Sequence, residues 1–89
     1  MKGSSIELFD IYWEIGTPEA YKKGIAAVKP LADRGDVPSI IRIARAYRYG
    51  KGVRRNTDKA MALYDKAAAS SSSAAKERDV FKKNLAAKK

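Results

Sequence analysis

From Gly35 to Ala68 the chain reads GDVPSIIRIARAYRYGKGVRRNTDKAMALYDKAA, and this stretch decides the fold. Asp36-Val37-Pro38 is a helix start: an acidic cap, then proline in the first turn, where its missing N–H costs nothing. Ile40, Ile41, Ala44 and Tyr47 recur at helical spacing and form one apolar stripe. Gly50-Lys51-Gly52 ends the run, because two glycines one residue apart permit a tight turn. Asn56-Thr57-Asp58 begins the next helix, with Ala60, Met61, Leu63, Tyr64, Ala67 and Ala68 on its buried side. The unit is a pair of antiparallel helices.

The same grammar continues outward. Ser4-Ser5 caps a first helix carrying Ile6, Phe9, Tyr12 and Trp13, with Leu8 and Ile11 widening its apolar face and Gly16 ending it. Thr17-Pro18-Glu19 starts a second helix through Tyr21, Ile25, Val28, Leu31 and Ala32. Pro30 is expected to kink or shorten it, and Gly35 to stop it in a left-handed conformation. Beyond the central pair, Ser70 to Ser73 reads as a short loop. Ala74 to Ala87 reads as a fifth helix anchored by Val80, Phe81 and Leu85.

A shift of thirty-six residues lays like on like. Gly16 falls on Gly52, Lys23 on Lys59, Val28 on Tyr64, Leu31 on Ala67 and Ala32 on Ala68; Leu8 falls on Ala44 and Ile11 on Tyr47. A period in this range marks stacked helical hairpins, since one hairpin cannot bury its own apolar face. The expected fold is therefore all-α: an antiparallel, right-handed helix-turn-helix repeat solenoid of about five helices in a single domain, 1–89. Its parts are a degenerate first hairpin (5–34), a second hairpin (35–69) and a C-terminal capping helix (74–87). Met1 to Ser5 has the look of an expression scar, which leaves room for a longer parent chain.

These residues resemble the Sel-one-like repeats, tetratricopeptide relatives with a slightly longer unit. The resemblance is carried by Gly35-Asp36 before the helix, Ile43-Ala44 in its middle, Tyr47 one turn on, Gly50, Gly52 and Val53 in the turn, then Lys59-Ala60, Tyr64 and Lys66-Ala67-Ala68. Ala44 stands where that family has glycine, and Leu63 where it has tryptophan. The resemblance implies a scaffold that binds other proteins, with the first helix of each hairpin lining a concave surface. The stretch Glu7 to Trp13, with Gly16 to Tyr21, is similar to repeats in bacterial surface-polysaccharide biosynthesis proteins, which implies a bacterial source and an accessory role.

Composition narrows the function. The chain has no cysteine and no histidine, so it lacks the usual zinc, iron and copper ligands and the side chains of nucleophile–histidine catalysis. Its acids are scattered without calcium-loop spacing. No cofactor and no catalytic site are expected. Without a signal peptide, an apolar membrane span or a disulfide, the expected location is cytoplasmic. The outlier is charge, with 19 Lys+Arg against 10 Asp+Glu and a net +9. Met1 to Asp33 is about neutral, so the excess lies from Arg34 onward and points to an anionic partner.

The candidate partner-binding residues are Arg42, Arg45, Arg48, Tyr49, Lys51 and Arg55. The three arginines lie along one edge of the third helix, and Lys51, Arg54 and Arg55 continue into the turn. Guanidinium forks suit carboxylate or phosphate. Tyr49 either stacks a ligand in the groove or packs under the glycine turn. Tyr12 and Trp13 cannot both face one core, and Trp13 is expected between the hairpins. Gly50-Lys51-Gly52 lacks the spacing and the Lys-Ser/Thr of a phosphate loop. The basic fifth helix is expected to dock on the fourth, not to lie on a membrane, and apolar positions it left uncovered would favour self-association. The leading reading is protein–protein interaction with an acidic peptide or protein segment. Nucleic-acid binding by the same surface, and an accessory role beside a polysaccharide enzyme, are the alternatives.

Overall fold

A computed structural model of the chain describes residues 4–87. Five helices follow one another: α1 (Ser5–Ile15), α2 (Pro18–Asp33), α3 (Val37–Tyr49), α4 (Thr57–Ala68) and α5 (Ser72–Ala87). Each packs against the next in sequence, and α1 also reaches α3. The arrangement is an all-α helical repeat.

The caps sit where polar side chains can take orphan N–H groups. The Ser4 hydroxyl accepts from Glu7 N at 3.1 Å while Ser4 N donates to Glu7 Oε1 at 2.9 Å, a reciprocal box. Thr17 Oγ1 accepts from Ala20 N at 3.1 Å, Asp36 Oδ2 from Ser39 N at 3.2 Å, and Asn56 Oδ1 from Lys59 N at 3.0 Å.

Three expectations need correction. Pro30 does not shorten the second helix, which runs on to Asp33. Pro30 and Ala26, the residue four before it, are both exposed, so water can take the Ala26 carbonyl that the proline leaves without a donor. The serine run is not all loop. Ser71 Oγ accepts from Ala74 N at 3.2 Å, so Ser71 caps α5 and the helix begins at Ser72. Val80 is no anchor: it is 52% exposed, and Phe81 takes the inward position.

Two apolar clusters hold the stack. Phe9, Val28, Ala32, Ile40, Ile43, Ala67 and Ala74 form one across all five helices. Ala44, Ala60, Tyr64 and Phe81 form the other, binding α3, α4 and α5. Burying such side chains stabilises by about 25 cal/mol per Å² of apolar surface. Trp13 stacks on Phe9 at 5.3 Å and meets Tyr21 edge-on at 5.3 Å within the first hairpin, and it reaches the second through Tyr49 at 6.5 Å.

The thirty-six-residue register holds for the second helix of each hairpin. Val28 and Tyr64 are both fully buried. It slips in the first helices and in the turns. Ala44 is completely buried, yet Leu8 is 39% and Ile11 57% exposed, because Phe9 packs inward against Gly24 instead. The turn between α1 and α2 is two residues, and that between α3 and α4 is seven.

The longer turn is keyed into its neighbour. A Cβ on Gly52 (φ +81°) would lie 2.8 Å from Tyr21 Cβ and 3.0 Å from the Tyr21 carbonyl carbon on α2. Gly35 has a similar φ of +89° but open space around it. Alanine at either position carries the left-handed backbone penalty, and only at Gly52 does it also collide. Gly35→Ala is expected to lower the unfolding free energy by about 1 kcal/mol. Gly52→Ala should cost roughly 1–3 kcal/mol more through overpacking. Urea unfolding of the two variants measures the difference directly.

Candidate functional site

Helices α1, α3 and α5 lie on one side of the stack with α3 in the middle, and the arginines of α3 bind it to both neighbours. Toward α1, Arg42 grips Asp10 with both arms of its fork, Nε to Oδ1 and Nη2 to Oδ2 at 3.1 Å each, while Nη1 donates to the Pro38 carbonyl at 3.1 Å. Toward α5, Arg45 grips Glu77 in the same way, with both bonds at 2.7 Å. Such bidentate charged pairs are short and directional.

Glu77 is the keystone. Its Oε2 also accepts from the Tyr64 hydroxyl of α4 at 2.7 Å, and that hydroxyl accepts from Arg48 Nη1 at 3.5 Å. Burial by itself pushes the Glu77 carboxyl up, but the hydrogen bonds from Arg45 and Tyr64 outweigh it and hold the group below the usual carboxylate range. Burial, aided by the Glu77 hydrogen bond, pushes the Tyr64 phenol up to about 12. Arg45 is raised by its Glu77 bond. Among the described residues no buried side-chain polar atom lacks a partner.

The guanidinium of Arg48 lies 4.9 Å from the Phe81 ring centroid and 5.0 Å from that of Tyr49. Arg48, Tyr49 and Arg55 share a cleft of about 490 Å³ with Phe81, Asn84, Leu85 and Ala87 of α5. Tyr49 is exposed there, and its ring meets Trp13 at 6.5 Å. Lys51 points elsewhere, its Nζ 5.1 Å from the Trp13 ring and 5.4 Å from Tyr21.

Of the six candidate residues, the structure thus brings Arg48, Tyr49 and Arg55 onto one cleft. Arg42 and Arg45 are on the same side but already hold carboxylates, and Lys51 lies over an aromatic pair. The sequence reading missed Asp10 and Glu77 as their partners, and the α5 wall of the cleft. One signal was available: both pairs join residues thirty-two apart, near the repeat length. No group of three or more acidic residues suited to a metal occurs among the described residues, and no described helix is long and apolar enough to cross a membrane.

Neither the family models nor the curated proteins compared with this chain give a match.

The node has a pH signature. A depressed Glu77 stabilises the fold above the free carboxylate value of about 4.3, and that share is lost as pH falls through its lower folded value. A raised Tyr64 stabilises below the free phenol value of about 10, and that share is lost as pH climbs toward its folded value of about 12. Glu77→Gln should cost about 1–2 kcal/mol at neutral pH, the partial exposure of the pair holding it below a fully buried one. Thermal melts across pH should show the alkaline loss in the parent chain and its absence in Tyr64→Phe.

Proposed function

We propose that this chain is a Sel-one-like scaffold module that binds an acidic peptide or protein segment, with the cleft between α3 and α5 as the anchor. The observation that carries the reading is the state of the arginines. Arg42 and Arg45 each hold a carboxylate with two donors and fix the shape of the face, whereas Arg48 and Arg55 border the cleft with no carboxylate partner among the described residues. Leu85 supplies an accessible apolar wall, with Phe81 buried behind it under the Arg48 guanidinium, and Tyr49 a ring that can cover a bound side chain. A segment that alternates acidic and apolar residues fits this lining: carboxylates to the two guanidiniums, an apolar side chain against Leu85. The net positive charge steers such a segment and raises its rate of encounter.

The protonation states support binding over catalysis. A general acid or base works best with a pKa near the operating pH. Glu77 is held ionised and Tyr64 held protonated, each on the far side of neutrality from that condition.

The test is fluorescence anisotropy with a labelled peptide of alternating glutamate and leucine. Arg55→Glu is expected to weaken binding about tenfold, Tyr49→Ala to weaken it less, and added salt to slow association. Arg55 is exposed, so its substitution should leave the melting temperature unchanged. Equal affinity for a lysine-containing peptide would refute the reading. Tighter binding of an oligonucleotide, with a steep salt dependence, would replace it with nucleic-acid recognition by the same surface.

A further inference from the structure

The two ends of the stack carry matching stripes of opposite charge. On α1, Glu7, Ile11 and Glu14 stand at i, i+4 and i+7, an acid–apolar–acid row on one helix face. On α5, Lys76, Val80 and Lys83 stand at the same spacing, a base–apolar–base row. Both central residues are out in solvent: Ile11 is 57% and Val80 52% exposed. At 1.5 Å rise per residue, the charges of each row are about 10 Å apart, so the rows match in length whichever way the helices run. None of the four charged side chains has an ion-pair partner among the described residues.

The outer face of α1 is also apolar. Here Leu8 and Ile15, 39% and 56% exposed, extend the Ile11 position into an apolar strip, and the Glu7–Ile11–Glu14 row borders a depression of about 510 Å³.

We propose that the occupant of this face is a second copy of the chain, docking α5 of one molecule on α1 of the next. Charge decides between copies meeting head to tail and head to head. Helix α1 contains acidic residues and no basic one, so α1 against α1 sets carboxylate on carboxylate, whereas α1 against α5 pairs every charge in the two rows. The lysine stems add apolar cover around Val80 while their ammonium groups reach the glutamates. The contact is heterologous: each molecule uses a different patch, leaving one of each kind open, so assembly proceeds by open-ended stacking and not by closure into a dimer.

Sedimentation equilibrium of the 89-residue chain over a range of concentrations tests this. The mean mass should rise with concentration and fall with salt. Ile11→Asp removes the α1 patch, and Lys76→Glu with Lys83→Glu removes the α5 patch. Each should lower the association constant by about tenfold or more while leaving the helical circular dichroism and the melting temperature intact, because all three residues are exposed. The decisive sample is the mixture. Ile11→Asp keeps a working α5 and the lysine variant a working α1, so together they should form a one-to-one pair that grows no further. A monomer at every concentration, association that neither variant disturbs, or a mixture that stays monomeric would each overturn the proposal. Arg55→Glu should leave stacking untouched, so failure here and failure of the peptide-binding reading are separate results.

Discussion

A single carboxylate, that of Glu77, holds three helices in register. It takes two bonds from the cationic Arg45 of α3 and one from the neutral Tyr64 hydroxyl of α4, while standing on α5 itself. The apolar cluster beneath it is small, with two alanines beside Tyr64 and Phe81. Alanine brings helices close but contributes little area, and the shape of the contact is left to the polar network above it. A carboxylate with two partners at 2.7 Å specifies one position for α5, where sliding apolar surfaces would accept several. The position of α5 in turn makes one wall of the cleft, so the cleft exists only if the node does.

The helices and their starts were plain in the sequence because capping is local chemistry. Ser4, Thr17, Asp36 and Asn56 each need only the N–H group three residues ahead, and each cap was read from its own neighbourhood. What failed was what depends on distant surroundings. Pro30 is tolerated because its helix face is wet, and Val80 points outward because Phe81 beside it has the better partner in Tyr64. Period counting treats neighbouring apolar residues alike, and tertiary packing chooses between them.

The arginine row shows the same divide on the functional side. Spacing of three reads Arg42, Arg45 and Arg48 as one row, which the structure divides between contacts to α1 and to α5. It carried no information on where Asp10 and Glu77 would arrive, since each lies thirty-two residues away on another helix. A basic stripe in sequence is thus a statement about donors only. Two of these three guanidiniums each hold a carboxylate of the molecule itself, and the charge without such a partner shifts toward Arg48 and the turn.

Each helix leaning on its immediate successor has a kinetic meaning as well. Chain entropy lost on closing a contact grows with the length of the loop closed, and here the principal contacts join neighbours through two to seven residues. Local topologies of this kind fold in microseconds to milliseconds, on the order set by their low contact order. Structure can begin at either hairpin and spread along the row, with the clasp between α3 and α5 closing late. The slowest event should then be not the making of any helix but the seating of the last one.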